Sequence, residues 1–146
     1  MEIKTENGKR KKENKRLRIG TWNIRTLFKP GALRILIDEV TRYNLPIVAL
    51  QEVRWPGKGN IKSGNYTIFY SGTENDRHEN GVGFLINDSI LSNVKKFTAI
   101  NERLCIIQIK GKIWDNTLLN CYAPTEDKNN DAKSEFYERL EDAYDS

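Results

Sequence analysis

The spacing of apolar and polar residues between positions 17 and 50 predicts a strand, a helix and a second strand, in that order. The run Leu17–Trp22 is typical of a short strand, and Ile47–Leu50 is typical of a strand that is covered on both faces. Between them, the stretch Ala32–Tyr43 carries its apolar residues at helical spacing, which predicts a helix with one buried stripe. Since strand–helix–strand units take a right-handed crossover, we expect the two strands to be parallel and to end at the same edge of a sheet.

The pattern of the remaining residues predicts several strands followed by one helix. Glycine and polar residues predict loops over Pro56–Asn65 and Ser71–Asn80, and a turn over Asn87–Ser89. The amphipathic stretch Asp131–Tyr144 predicts the helix, with Asp131 near its N-cap. The fold class that follows is α/β, with a mixed sheet in one domain. Strands are predicted over Tyr66–Tyr70, Gly81–Ile86, Val94–Thr98, Leu104–Lys110 and Lys112–Tyr122.

Three of the predicted strands end on a polar residue whose side chain can serve a metal ion or a phosphate. Asn23 follows the first strand, Glu52 follows the second and Tyr122 ends the last. Carboxylate and amide oxygens are ligands of Mg²⁺, and a phenol donates hydrogen bonds to phosphate oxygens. Seen alone, each residue would be assigned to a turn, the surface or the core. Their combination predicts a shared rim where a metal ion and a phosphate meet.

The net charge of +4 is concentrated at the beginning of the chain. Residues 1–18 carry eight Lys or Arg against three Glu, a local charge of +5, whereas residues 126–146 carry eight acidic and three basic residues, a local charge of −5. No apolar residue lies between Lys4 and Arg16, so we expect residues 1–16 to form a disordered basic leader and residues 17–146 the folded domain. Two interpretations of the leader stay open. It is a solvated segment without a ligand, or it contacts nucleic-acid phosphates or directs the protein to the nucleus.

Length and composition exclude several classes of protein. A chain of 146 residues has room for one domain with a modest core. No apolar run approaches the roughly 20 residues of a membrane helix, so no membrane association is expected. The first residues are charged, unlike those of a secretory signal. Cys105 and Cys121 lie in apolar runs typical of buried reduced thiols, with a disulfide or a metal pair as the alternative. These features predict an intracellular protein, nuclear or cytoplasmic.

Four segments of the chain resemble the motifs of the endonuclease/exonuclease/phosphatase family, in the family's order. The resemblance covers nearly all of the chain from about Arg16 onward. Within the family, RWPG at Arg54–Gly57 and YAPTED at Tyr122–Asp127 are most similar to the apurinic-type endonuclease domain of LINE-like retrotransposons and to craniofacial development protein 2-like proteins. The four segments are TWNIRTL (Thr21–Leu27), LQEVRW (Leu50–Trp55), GVGFLIN (Gly81–Asn87) and CYAPTE (Cys121–Glu126).

The resemblance implies a fold, a chemistry and roles for named residues. Members of the family form a four-layer α/β/β/α sandwich from two similar halves and hydrolyse phosphodiesters with Mg²⁺. By resemblance, Glu52 is a metal ligand, Asn23 helps to hold the metal and the surroundings of the attacking water, and Tyr122 contacts the scissile phosphate. Arg54 and Arg103 occupy positions that are often basic in relatives and are carried over as phosphate or nucleic-acid contacts. The expected cofactor is Mg²⁺ and the expected partner is DNA, bound weakly, with the basic leader as one contact.

The chain departs from the family pattern in its second half. Neither the G-D-x-N segment nor the terminal S-D-H segment of the family occurs in it. Because those segments supply the acid–base Asp, an Asn, a further metal-side Asp and the Asp–His pair, we expect an N-terminal half of the sandwich that binds Mg²⁺ weakly and has little or no turnover alone. We also expect the apolar face of the sheet to lie bare, and therefore to bind a second copy or another protein.

The sequence is compatible with three functions. They are an endonuclease half, a non-catalytic remnant that binds nucleic acid or protein, and a phosphatase of the same family. His78, the sole histidine of the sequence, lies in a predicted polar loop and is interpreted as a surface residue rather than a catalytic base. Trp22, Trp55 and Trp114 are interpreted as core or rim aromatic residues rather than base-stacking platforms.

Overall fold

The computed structural model describes residues 17–125 and 128–145, which form a mixed α/β fold with two β-sheets. The predicted fold class is confirmed. The predicted basic leader, residues 1–16, lies outside the described residues. In chain order the elements are β1 (Ile19–Asn23), α1 (Ala32–Tyr43), β2 (Ile47–Gln51), β3 (Lys58–Ser63), β4 (Tyr66–Ser71), β5 (Val82–Asn87), α2 (Asp88–Leu91), β6 (Val94–Asn101), β7 (Leu104–Ile109), β8 (Asn116–Cys121) and α3 (Asn130–Asp145).

The first strand, helix and second strand form the predicted parallel unit. β1 pairs with β2 in parallel, and the last pair of the ladder is Asn23 opposite Gln51. Helix α1 has the predicted bounds because Gly31 before it and Asn44 after it both adopt left-handed backbone conformations. The apolar stripe of α1 packs on the outer face of the sheet formed by β1 and β2. Its buried members are Leu36, Ile37 and Val40.

The larger sheet has five strands, in the order β1-β2-β5-β4-β3. β5 joins the parallel unit to the β3–β4 hairpin, and every pairing beyond β2 is antiparallel. The predicted loop over Pro56–Asn65 is wrong, because Lys58–Ser63 forms β3 at the edge of the sheet. This strand is mostly polar, with Ile61 as its large apolar residue. β3 is a strand because it pairs with β4 along its whole length. An exposed edge strand of this kind lacks the alternation of apolar and polar residues by which strands are recognised in a sequence.

The strands β6, β7 and β8 form a second, antiparallel sheet that covers the inner face of the larger one. Phe84 and Ile86 of the larger sheet share one buried cluster with Ile107 of the smaller sheet. The expectation of a bare apolar face on the larger sheet is therefore wrong, since the chain's own second sheet packs there. Binding of a second copy or of another protein stays a prediction, but a bare face of the larger sheet no longer supports it.

Local hydrogen bonds shorten the last strand relative to the prediction. β8 begins at Asn116 rather than Lys112. The carboxylate of Asp115 accepts a hydrogen bond from the backbone N–H of Gly111 at 3.3 Å and an ion-paired one from Lys95 at 2.6 Å. These bonds close a loop of several residues between β7 and β8, where the predicted strands were separated by Gly111 alone.

Side-chain caps set the ends of the two later helices. The short helix α2 replaces the predicted turn, because the side-chain oxygen of Asn87 accepts the N–H of Ser89 at 2.9 Å. Helix α3 begins one residue earlier than predicted, and Asn129 rather than Asp131 caps it by accepting the N–H of Ala132 at 2.7 Å. No helix within the described residues is long and apolar enough to cross a lipid bilayer.

Both cysteines are free thiols. Cys105 is buried in the cluster between the sheets, and this burial raises its pKa well above the ordinary value. Cys121 is exposed, contrary to the expectation of two buried thiols. The disulfide alternative is therefore wrong for this fold.

Candidate functional site

The side chains of Asn23, Glu52 and Tyr122 meet at one edge of the fold, as the sequence predicts. Asn23 ends β1, Glu52 directly follows β2 and Tyr122 directly follows β8. The amide nitrogen Nδ2 of Asn23 donates to Glu52 Oε2 at 2.6 Å, and the hydroxyl of Tyr122 donates to the same oxygen at 3.1 Å. Parallel pairing of β1 with β2 places Asn23 beside Glu52, and packing of the two sheets brings Tyr122 to Glu52.

The second oxygen of the Glu52 carboxylate is held by Arg54. Nη2 of Arg54 donates to Glu52 Oε1 at 2.7 Å, and the exposed fractions of the two side chains are 40% for Arg54 and 16% for Glu52. Desolvation raises the pKa of Glu52, but the hydrogen bonds from Arg54, Asn23 and Tyr122 and the charge of Arg54 outweigh it, so the net pKa is lowered. Glu52 is consequently an anion at neutral pH.

The backbone around Glu52 adopts conformations that are uncommon outside glycine. Glu52 and Arg54 have φ angles of 59° and 63°. Hydrogen bonds to the segment before β5 hold this turn, with Val53 N–H donating to Gly81 O at 3.0 Å and Arg54 N–H donating to Asn80 O at 2.7 Å. Such conformations persist only where the surrounding structure over-determines them, and they concentrate at functional sites.

Arg103 supports Tyr122 from the second sheet. Its Nη1 donates to the carbonyl oxygen of Tyr122 at 3.0 Å, and its guanidinium carbon lies 5.3 Å from the centre of the Tyr122 ring. Desolvation and the neighbouring Glu52 carboxylate raise the pKa of Tyr122, while the charges of Arg103 and Arg54 partly oppose the rise. The phenol therefore keeps its proton near neutral pH and acts as a hydrogen-bond donor.

Asn120 ties the two sheets together directly behind the site, and sequence reasoning missed it. Its Nδ2 donates to Leu50 O at 2.9 Å and to Gly83 O at 2.7 Å, and its Oδ1 accepts from Gln51 Nε2 at 2.9 Å. The Asn120 side chain is buried, so its bonds to Leu50 and Gly83 are shielded from water, and the bond from Gln51 is partly shielded. The signal available in the sequence was a lone amide inside the apolar run TLLNCY.

An open cleft of about 280 Å³ lies beside these residues. Glu52, Arg54, Arg103 and Tyr122 line it together with residues from the loop before β5 and from the segment after β8. Three cationic side chains line the cleft, those of Arg54, Arg103 and Lys128. The carboxylates of Glu52 and Glu79 line it as well. Two of the three cations are guanidinium groups, which bind phosphate oxygens with paired N–H donors. The cleft is thus chemically suited to a phosphate group.

His78 lies at the margin of this cleft. It is exposed in a surface loop, as interpreted from the sequence, but it also lines the cleft together with Glu52 and Tyr122. Its Nδ1 lies 3.3 Å from the carbonyl oxygen of Arg54, and its ring contacts that of Phe28 at a centroid distance of 4.1 Å. No local sequence signal placed this histidine near Glu52, because a long loop outside both sheets brings it there.

The donor groups present are compatible with a weakly held Mg²⁺ ion. The described residues, 17–125 and 128–145, contain no group of three His, Cys, Asp or Glu side chains that would hold a metal by themselves. Glu52 offers one carboxylate, and Asn23 offers an amide oxygen that now accepts the N–H of Arg25 at 3.2 Å. Mg²⁺ is commonly bound by one or two carboxylates together with waters and substrate phosphates. The fit therefore requires a phosphate in the cleft as a further ligand.

Comparisons with known proteins agree with the fold and with the motifs. Residues 20–144 match the model of the endonuclease/exonuclease/phosphatase family. Craniofacial development protein 2 from Bos taurus is 32% identical over 123 residues, which are 84% of this chain and 20% of that protein. The protein of the same name from Tragulus javanicus is 31% identical over 123 residues, which are 84% of this chain and 21% of that protein. The chain thus spans about a fifth of the length of these relatives.

A solved structure shares the fold. The endonuclease domain of TRAS1, a telomere-specific non-LTR retrotransposon, superposes with a TM-score of 0.54 at 17% sequence identity. The superposition covers 86% of this chain and 52% of that chain. The two-sheet arrangement described above is therefore similar to that of an endonuclease domain.

Proposed function

This chain belongs to the endonuclease/exonuclease/phosphatase family, and we propose that its cleft is part of a Mg²⁺-dependent phosphodiester hydrolase site of the DNA endonuclease type. The observation that carries the proposal is the Glu52 carboxylate, held at once by Asn23, Tyr122 and Arg54 beside a cationic cleft. An anion fixed in this way next to two guanidinium groups is suited to bind a cation and a phosphate side by side.

Each side chain has a role in this proposal. Glu52 is the metal ligand, with Asn23 orienting its carboxylate and supplying a neutral oxygen. The phenol of Tyr122 donates its single O–H to Glu52 in the structure, and it would turn to a non-bridging phosphate oxygen once that carboxylate oxygen binds a metal ion. Arg54 and Arg103 balance the phosphate charge. Mg²⁺, when bound, supplies stabilisation of the negative charge that develops on the phosphate and the leaving oxygen.

We further propose that this chain alone has little or no turnover. Hydrolysis also requires a base that takes a proton from the attacking water, and neither the G-D-x-N nor the S-D-H segment of the family occurs in the sequence. Absence of such a base typically lowers the rate by a factor of about 10²–10⁴. His78 does not substitute for the base, because its ring is directed into contacts with Phe28 and the Arg54 carbonyl.

A non-catalytic nucleic-acid-binding domain is the second candidate. The observation that favours it is the single carboxylate at the metal position, with no group of three acidic, His or Cys side chains in the described part of the chain. In this candidate, the eight Lys or Arg of residues 1–18 provide a salt-dependent contact with DNA phosphates.

Calorimetric titration with a thymidine dinucleotide, with Mg²⁺ and with EDTA, tests the first candidate. We expect Mg²⁺ to raise the affinity for the phosphodiester, and Glu52→Ala to remove that increase. Asp88→Ala is the matched control, because this carboxylate pairs with Lys62 at the opposite end of the sheet and lies outside the cleft. An affinity that is independent of Mg²⁺ in the unmodified chain would contradict the proposal.

Plasmid nicking separates the two candidates and a phosphatase. We expect Mg²⁺-dependent nicking of supercoiled DNA at a rate about 10²–10⁴ below that of a complete family nuclease. DNA binding that ignores Mg²⁺, falls steeply with salt and disappears when residues 1–16 are deleted would favour the binding domain instead. Hydrolysis of a phosphomonoester in preference to DNA would favour a phosphatase.

A further inference from the structure

The loop after β1 is held rigidly against the turn that carries Glu52. Leu27 is buried, its N–H donates to Val53 O at 2.9 Å, and its carbonyl oxygen accepts from Trp55 Nε1 at 3.0 Å. Arg25 and Thr26, just before it, have φ angles of 61° and 135°. A loop that keeps two non-glycine residues in such conformations is held in a single conformation by its neighbours.

This rigid loop presents one large apolar ring to water. Phe28 is 58% exposed although it directly follows the buried Leu27. Its ring contacts the His78 ring at a centroid distance of 4.1 Å and an interplanar angle of 44°. The hydroxyl of Thr73 shares its proton between the backbone carbonyl oxygens of Asn75 at 3.0 Å and Arg77 at 2.9 Å, which holds the His78 loop, and Nδ1 of His78 lies 3.3 Å from the Arg54 carbonyl oxygen. The two rings form an ordered aromatic pair at the margin of the cleft.

Cationic side chains lie on the Phe28 loop and in the adjoining cleft, which Glu52 and Glu79 also line. Arg25 and Lys29 are exposed on the same short loop as Phe28. Arg54 and Arg103 line the adjoining cleft together with His78. Exposed aromatic rings interleaved with Lys and Arg are the arrangement that binds single-stranded nucleic acid, because bases stack on the rings while the cations follow the phosphates.

We infer that the Phe28–His78 ring pair is a stacking platform for a nucleobase next to the phosphate held in the cleft. The inference rests on the proposed phosphodiester site and adds to it a class of ligand, a nucleic-acid strand with at least one unpaired base. A phosphorylated ligand without a base has no group that fills this platform. Trp55, by contrast, is partly buried against the core and makes an edge-type contact with Tyr70 at a centroid distance of 5.1 Å.

Two short oligomers of equal charge test the platform in the full chain. One is a single-stranded thymidine pentamer, and the other is a pentamer with the same backbone and no bases. Binding of each fluorescently labelled oligomer is measured by anisotropy, with Mg²⁺ and again with EDTA. We expect the unmodified chain to bind the base-bearing pentamer at least about fivefold more tightly, the order expected for stacking one base.

Substitutions assign that preference to the ring. Phe28→Ala should abolish the preference and Phe28→Trp should retain it, and Phe28 is exposed enough for both variants to fold. The matched control is Trp114→Ala, which removes a 79% exposed aromatic residue from the loop between β7 and β8, far along the sheet from Tyr122. A preference that survives Phe28→Ala, or equal binding of the two pentamers by the unmodified chain, would overturn the inference while leaving the phosphate site intact. If the unmodified chain binds neither pentamer, the proposed function fails, and this inference fails with it.

Discussion

The two ends of the five-stranded sheet use arginine in different ways. At the end where β1 begins, the Arg18 guanidinium donates to the carbonyl oxygens of Tyr43 and Asn44, both at 3.2 Å. At the end where β1 finishes, the Arg54 guanidinium donates to the carboxylate of Glu52 at 2.7 Å. The first arginine satisfies the unpaired carbonyl groups at the C-terminus of α1, where a cation also complements the helix dipole. The second balances a side-chain anion beside an open cleft.

The comparison teaches that the partner of an arginine, rather than its presence, distinguishes a structural position from a candidate binding position. The carbonyl oxygens that Arg18 satisfies belong to the helix end and are not exchanged for a ligand. The Glu52–Arg54 pair is exchangeable, because a metal ion can take the carboxylate while a phosphate takes the guanidinium, and both charges stay balanced.

Strained backbone conformations are also distributed unevenly between the two ends of the sheet. Among the described residues, the non-glycine positions with positive φ at the candidate site are Arg25, Thr26, Glu52, Arg54 and Asn80, and the one at the opposite end is Asn44.

The largest effect on stability is expected from Asn120→Ala. This substitution removes two buried hydrogen bonds and one partly buried one at the site end, and it leaves the carbonyl oxygens of Leu50 and Gly83 without the amide donor. Unsatisfied buried polar groups cost about 1–3 kcal/mol each, so we expect the free energy of unfolding to fall by about 3 kcal/mol. Urea denaturation followed by circular dichroism measures this change.

A matched substitution at the opposite end sharpens the result. Tyr66→Phe removes the hydroxyl that donates to Leu45 O at 2.9 Å, and a single neutral hydrogen bond contributes about 1 kcal/mol. We expect this smaller loss of stability, with phosphate binding unchanged because Tyr66 lies outside the cleft. Equal losses from Asn120→Ala and Tyr66→Phe would contradict the assignment of Asn120 as the main tie between the sheets.

Local signals made part of the fold predictable from the sequence. Helix α1 has the predicted bounds because its apolar spacing and its flanking Gly31 and Asn44 act within a few residues. The parallel pairing of β1 and β2 followed from the crossover rule, and it brought Asn23 and Glu52 together. Strand β3 was missed because Lys58–Ser63 is polar and is defined by pairing with β4, which is a non-local interaction.

Long-range packing accounts for the parts that the sequence did not predict. The second sheet was expected only as separate strands, and nothing in their patterns showed that Ile107 would lie over Phe84 and leave no bare face. Asn120 and His78 were missed at the site for the same reason. Their partners lie far along the chain, as the bond from Asn120 to Leu50 illustrates, and no local spacing records such contacts.

Replacing each arginine by glutamine tests the comparison itself. Arg54→Gln should weaken Mg²⁺-dependent binding of a thymidine dinucleotide about tenfold, because one charge-assisted contact to phosphate is lost. Arg18→Gln should leave that affinity unchanged and lower the stability by about 1 kcal/mol. Calorimetric titration and urea denaturation measure the two effects. Loss of binding in Arg18→Gln, or unchanged binding in Arg54→Gln, would remove the functional distinction between the two ends.

The smallest expected effect is a pH dependence that belongs to Glu52. Its pKa lies below the ordinary value of 4.5 in the folded protein, because hydrogen bonds from Arg54, Asn23 and Tyr122 outweigh desolvation. A lowered folded-state pKa contributes stability that is present above the unfolded-state pKa and is lost as the pH falls through the folded-state pKa. From about pH 5 to about pH 3, the unfolding free energy of the metal-free protein should therefore fall more steeply for the unmodified chain than for Glu52→Gln, which has no carboxylate to titrate. Urea denaturation in EDTA at a series of pH values measures both slopes, with Asp88→Asn as the control at the opposite end. Parallel curves for the unmodified chain and Glu52→Gln would mean that the bonds around Glu52 do not favour its charged form, and the argument for a fixed anion at the cleft would then fail.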